Sequence, residues 1–329
     1  MTLLKKIPIT EIGGIRIGHA QNIKGATGCT VIICESGAVT GVDIRGGGPA
    51  SRESALLNPL AANNGVHAVL LSGGSAFGLD AAGGVMDYLE QRNVGFPVGV
   101  TKVPIVCASC LFDLRLGDYR ARPDKKMGYE ACLDSERNCP GQGNVGAGTG
   151  ATVGKFYGES GMMKSGLGIC AAALGELKVG AVVAVNAVGD IFDYETNEKL
   201  AGLLNPETGE FEDSEEAFYR EYAGMKNLFT GTTENTTIGA VITNARFDKT
   251  MMTKIAGMAH NGYARSIRPV HTMADGDSIY AMSVGAVEAD VNVVGTLAAR
   301  VMAEAVKAAV LEAEGAYGLK AARDMKKGR

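Results

Sequence analysis

The chain has 329 residues, 46% of them hydrophobic and 21% charged, with a formal net charge of −4 at pH 7. That is enough chain to bury a large core in one or two domains, and its mild acidity offers no basic field to draw nucleic acid. No window reaches the roughly 18 uncharged apolar residues that a membrane span needs, and the start, MTLLKKIPITEIGG, lacks the apolar stretch of a secretory signal. A cytoplasmic protein is expected. The seven cysteines, at 29, 34, 107, 110, 132, 139 and 170, are an odd number and read as buried free thiols in a reducing compartment. Cys107 and Cys110 form a CxxC, but no second pair or nearby histidine supports zinc or redox chemistry.

The first elements are strands. CTVIIC (29–34) and AVTGVDIRGG (38–47) are short, β-branched and bounded by glycine, and HAVLLSGG (67–74) is an apolar strand ending in a glycine turn. SAFGLDAAGGVMDYLEQRN (75–93) reads as a helix capped by Ser75, whose Gly83-Gly84 pair implies close packing against a neighbour. A glycine-rich run, GQGNVGAGTGATVGK (141–155), leads to SGLGICAAALGEL (165–177), a small-residue helix, and KVGAVVAVNAVGDIFD (178–193) is a strand followed by a turn. Residues 194–235 are polar and acidic and read as an exposed, partly helical linker. Residues 236–244 form a strand whose two faces, Ile238, Ala240 and Ile242 against Gly239 and Val241, are both small or apolar, as in a strand buried on both sides. A helix over 249–267, a strand over 277–285 and a long helix over 291–315 complete one α/β domain, 1–329, layered helix–sheet–sheet–helix.

Most familiar chemistries find no support. Gly146-Ala-Gly148-Thr-Gly150 gives GxGxG without the last spacing of a dinucleotide fingerprint, and Lys155 is followed by Phe156, not by the Ser or Thr of a phosphate loop. No cofactor is expected, and the run is better placed presenting backbone N–H groups beside an active site. The four histidines, at 19, 67, 260 and 271, form no metal pattern. His67 opens an apolar strand and reads as structural; His271, close to Asp275, reads either as a site residue or as a surface-turn histidine. GGSAFG is not a GxSxG nucleophile elbow.

There remains the junction GTTENTTIGAVITN (231–244). If the Asn235–Thr236 bond is cut, the new α-amino group stands beside the Thr236 hydroxyl. With a pKa of about 7.7–8.0, that amine suits a general base at neutral pH. The same Thr236 could then cut its own chain and later attack substrate amides. The alternative is a threonine-rich loop before a strand.

Six segments bear on that choice: GVDIRGGGPASRE (41–53), HAVLLSGGSAFGLDAAGGVMDYL (67–89), VPIVCASCLFDL (103–114), GNVGAGTGATVGK (143–155), VNAVGD (185–190) and ENTTIGAVITNA (234–245). In this order, and spread over the whole chain, they resemble the L-aminopeptidase/D-esterase family of N-terminal nucleophile hydrolases, which includes β-aminopeptidases and endo-type nylon-oligomer hydrolases. The Asn-Thr-Thr junction is most similar to the nylon-hydrolase branch.

The resemblance implies a four-layer αββα sandwich of the kind shared with the ornithine acetyltransferases. It implies self-cleavage into a large subunit, 1–235, and a small one, 236–329, with Thr236 as nucleophile. Asn186 would supply the oxyanion amide, Lys155 a cation near the nucleophile, and Asp275 and Asp277 partners for the Thr236 amine or a substrate ammonium. Substrates would be short peptides, amino-acid amides or ω-amino acid oligomers, acted on by a homo-oligomer of processed protomers without cofactor or metal. One position departs from some relatives: Phe112 stands where they carry a tyrosine, and Tyr119 and Tyr129 follow it. An acyltransferase of the ornithine acetyltransferase type and a non-processing binding protein are the rival readings.

Overall fold

The computed structural model describes residues 3–222 and 235–326. The strands of its main sheet are β1 (Leu4–Lys6), β2 (Arg16–Asn22), β3 (Thr27–Ile44), β4 (Ala50–Arg52), β5 (Gly65–Ser72), β6 (Val106–Cys110), β7 (Leu167–Leu174), β8 (Leu177–Asn186), β9 (Thr236–Ala245) and β10 (Ser278–Val287). They form one hydrogen-bonded sheet in the order β1-β7-β8-β9-β10-β3-β5-β6-β4, with β2 alongside β3. Pairing is antiparallel except for β9 with β10 and β5 with β6. The long helices are α1 (Ala81–Gln91), α2 (Lys125–Ser135), α3 (Lys249–Ser266) and α4 (Val291–Leu311).

The two strands expected over 29–47 are one strand of 18 residues. The first half of β3 pairs with β2 and β5 and its second half with β10, with a break in register between Ile33 and Ala38. This hinge lets the sheet fold on itself, so that two half-sheets face each other. Ile17, Ile32, Val69 and Leu71 from one half meet Val182, Ala184, Ile238, Ala240, Ile242 and Met282 from the other. Helices α3 and α4 cover the outer face of β7–β10, and α1 and α2 that of β2, β3, β5 and β6. The fold is the four-layer αββα arrangement. Tyr280 of β10 crosses the inner core, its hydroxyl 3.0 Å from the Ala108 carbonyl and 2.8 Å from Ser109 Oγ.

Four expectations change. The helix expected over 165–177 is strand β7 and the turn after it: its alanines lose their helical preference to antiparallel partners on both sides, β1 and β8, and their small side chains let α4 lie close above. Residues 75–80 are a 3₁₀ turn ahead of α1, and Ser75, with φ of 53°, caps no helix through its side chain. Of the linker expected over 194–235, residues 223–234 lie outside the described residues. Within the rest, Leu200, Ala201, Leu203, Leu204 and Ala217 are buried, because this stretch packs back beside the outer core instead of standing in solvent. Six cysteines are buried and free as expected, but Cys139 is exposed. The Gly83-Gly84 expectation holds at Gly84, where a side chain would lie 1.7 Å from the Lys125 carbonyl at the start of α2.

Candidate active site

Strand β9 begins at Thr236, and its mouth is as buried as its middle. Asn235 and Thr236 are 6% and 4% exposed. Asn235 is held by the turn before β10, donating its N–H to the Ala274 carbonyl at 3.3 Å and accepting from the Gly276 N–H at 3.0 Å. The Thr236 hydroxyl lies against the Asn235 carbonyl. The Asn235–Thr236 junction is thus fixed between sheet and turn, with little room to move.

That turn, residues 271–277, carries the two carboxylates. Asp277 accepts from the Thr237 N–H at 2.7 Å and from the backbone and ring Nδ1 of His271 at 3.1 and 2.8 Å. Asp275 accepts from the Thr272 N–H and hydroxyl at 2.8 and 2.6 Å. Both are 1% exposed. Burial, and secondarily the neighbouring Asp277 charge, pushes the Asp275 carboxyl up to about 7. His271 is therefore a half-buried partner of Asp277 rather than of Asp275, and not a surface-turn residue. His260 packs edge-on against it, ring centroids 4.7 Å apart.

Asn186 ends β8 directly opposite Thr236 in the ladder. Its Oδ1 accepts from the Thr152 N–H at 3.1 Å, its Nδ2 donates to the Phe112 carbonyl at 3.0 Å, and its own carbonyl accepts from Lys155 Nζ at 3.0 Å. The ladder, the glycine run and the Phe112 segment so converge on one residue. The Phe112 position contributes its backbone here. Lys155 also acts electrostatically on Asp113 and Asp275.

The structure thus brings Thr236, Asn186, Asp275 and Asp277 to one end of the half-sheets, with Lys155 bonded to Asn186. Sequence reading missed three neighbours. Asp113, inside the CLFDL segment, is buried, accepts from Thr27 Oγ1 and the Gly74 N–H, and is pushed by burial up to about 6. Lys164 is fully buried, its ammonium on the carbonyls of Gly148, Ala151 and Ser165, and burial lowers it to about 7. Thr152 grips the Asn186 amide. Asp113 and Thr152 lay in segments the sequence had singled out; Lys164 sits in no motif. His67 accepts the Ile105 N–H at 3.1 Å and is structural.

Fold and site together describe an amide-bond hydrolase built on an αββα sandwich. The peptidase family S58 profile matches residues 8–323, and the chain belongs to that family. An uncharacterized aminopeptidase of Mycobacterium leprae is 39% identical, over 94% of this chain and 92% of its own. A 6-aminohexanoate-oligomer endohydrolase of Paenarthrobacter ureafaciens is 31% identical, over 84% of this chain and 75% of its own. Among solved structures, the L-aminopeptidase D-Ala-esterase/amidase of Ochrobactrum anthropi superposes with a TM-score of 0.68 at 16% identity, over 93% of this chain and 86% of that one, which shows the shared fold. The protein is a hydrolase of peptide or amide bonds. Among the described residues, no helix is long and apolar enough to cross a membrane.

Proposed function

We propose that this hydrolase cuts its own Asn235–Thr236 bond and then works as an N-terminal threonine amidase on short peptides, amino-acid amides or ω-amino acid oligomers. The observation that carries the reading is the Thr236 hydroxyl, buried at the start of a sheet-held strand and lying against the carbonyl of the bond before it. After cleavage the Thr236 amine takes the proton from its own hydroxyl as that oxygen attacks a substrate carbonyl, then passes it to the leaving amine. Water releases the acyl group.

The neighbouring groups fit their parts. The Lys155 cation favours the neutral form of the new amine. Asn186 Nδ2 has two N–H groups and spends one on Phe112, so the second serves a developing oxyanion without being titrated away. Asp277 anchors the strand mouth through the Thr237 N–H, and Asp275 faces the junction from the turn. A substrate ammonium would find its counter-charge there. The nylon-oligomer relative favours linear ω-amino acid oligomers as a substrate class to test first.

Intact mass and N-terminal sequencing of the purified chain test the reading, with Thr236→Ala in parallel. A 94-residue fragment (329 − 235) beginning at Thr236 and absent from the variant is expected. A single uncut chain in both preparations would remove the N-terminal amine from the mechanism.

A further inference from the structure

Self-cleavage needs a donor for the oxyanion that forms on the Asn235 carbonyl, and the uncut chain shows one already in contact with it. We infer that the backbone N–H of Gly276 is the oxyanion donor of the self-cleavage step. The inference rests on the Thr236 reading above and adds a group to it. Gly276 N stands 3.0 Å from the Asn235 oxygen, within ordinary hydrogen-bond range. The Asn186 side chain, the other neutral donor of the site, is turned to the Phe112 carbonyl and Thr152 in the same chain.

A second observation explains why the position is glycine. A side chain at 276 would lie 2.8 Å from Thr236 Oγ1 and 2.9 Å from the Gly48 carbonyl. A bare backbone leaves this N–H on the scissile carbonyl without crowding the nucleophile beside it. The turn is held from behind as well: the Asp275 carbonyl accepts from the Gly48 N–H at 2.8 Å, and the Asp277 carbonyl from the Arg45 N–H at 2.9 Å. The donor is preorganised, so it need not be reoriented as charge develops.

In the step, Thr236 Oγ forms a bond to the Asn235 carbonyl carbon and the carbonyl π pair moves onto oxygen, where the Gly276 N–H receives it. The hydroxyl proton passes to the Thr236 nitrogen. The oxyanion then reforms the carbonyl as the C–N bond breaks, leaving an ester between Asn235 and Thr236 Oγ and a free Thr236 amine. Water cleaves the ester, its hydroxyl joining the Asn235 acyl carbon and its proton the Thr236 oxygen.

Replacing Gly276 by glycolic acid through nonsense suppression turns the amide into an ester and deletes this N–H without adding a side chain. The first-order rate of self-cleavage, followed by mass in the folded precursor, should fall about 10²–10³-fold, the usual loss for one oxyanion donor. The same exchange at Gly13, whose N–H donates to the Thr10 carbonyl far from the site, should leave the rate unchanged. An unchanged rate in the 276 ester, with Thr236→Ala still uncut, overturns the Gly276 inference alone. A wild-type chain that never cuts, or a Thr236→Ala chain that does, overturns the Thr236 reading and this inference with it. Should the 276 ester fail to fold, a crystal structure of the Thr236→Ala precursor decides: Gly276 N more than 3.5 Å from the Asn235 oxygen overturns the inference, and contact within hydrogen-bond range upholds it.

Discussion

The two ends of the first half of β9 differ in chemistry but not in burial. From Ile238 to Ile242 both faces are closed by apolar neighbours, Ile238, Ala240 and Ile242 toward the opposite half-sheet and Val241 toward the helices. Immediately before it, Asn235, Thr236 and Thr237 are also buried, now among Asn186, Asp275 and Asp277. What separates core from site is how densely polar groups gather. Backbone N–H groups, the His271 ring and the Thr272 hydroxyl hold the carboxylates, while Asn235 Oδ1, Thr237 Oγ1 and His271 Nε2 are buried with no hydrogen-bond partner among the described residues. Buried orphans also stand elsewhere, such as Tyr263 Oη and Ser266 Oγ of α3, but three beside two carboxylates are groups that a substrate, water or reacting group can satisfy. The strand middle supplies rigidity that the mouth uses.

The largest effect should come from the mouth. Thr236→Ala should abolish both self-cleavage and turnover while the chain stays folded, because the methyl group removed with the hydroxyl is small beside the core behind it. Far-ultraviolet circular dichroism with a mass measurement separates the two properties. If Thr236→Ala also unfolded the chain, mouth and middle would not be separable regions. The converse change, Ile242→Ala, should cost about 2–5 kcal/mol of stability by leaving a cavity between the half-sheets. It should leave self-cleavage proceeding in the molecules that fold. Denaturant midpoints and intact mass report the two outcomes independently.

A smaller change sits between the regions. Lys164→Met should cost about 2–3 kcal/mol, since it strips a charged donor from buried carbonyls of the glycine run. The loop it braces carries Thr152, which grips Asn186, so self-cleavage should slow as well, and a variant that lost stability with no change in rate would detach the loop from the site.

Much of this layout could be read from the chain. The position of Asn235-Thr236 at the mouth of a doubly buried strand followed from the small and apolar residues on both faces of 238–242. The convergence of the 141–155, 185–190 and 275–277 segments followed from their joint resemblance to one family. Other features depend on tertiary pairing. Residues 167–174 are rich in alanine and carry a helix-like composition, yet two neighbouring strands claim their backbone. The hinge in β3 is a register break marked by a single residue, Gly37 with φ of 79°, a signal that does not stand out in a chain of 46 glycines. Asp277 binding Thr237, and Gly276 touching the Asn235 carbonyl, are meetings of residues about 40 positions apart in the chain, which a one-dimensional pattern does not encode.

The smallest expected effect is also the most specific to the mouth. The folded chain holds the Asp275 proton up to about pH 7, whereas an unfolded aspartate releases it near 4. Between those values the folded state binds more protons than the unfolded one, so this group's contribution to stability is greatest near pH 4 and falls as pH rises toward 7. Asp113, raised by burial to about 6, adds a slope of the same sign over a narrower window. Asp275→Asn keeps the acceptor for the Thr272 N–H and has no proton to release, so its stability should decline less between pH 4 and 7 than that of the parent. Both chains should carry Thr236→Ala so that neither is cut, and denaturant titrations at each pH give the two curves. Parallel curves would mean that the Asp275 carboxyl titrates near its ordinary value, and that the mouth, unlike the strand middle, is open enough to water to hold a full charge at no cost.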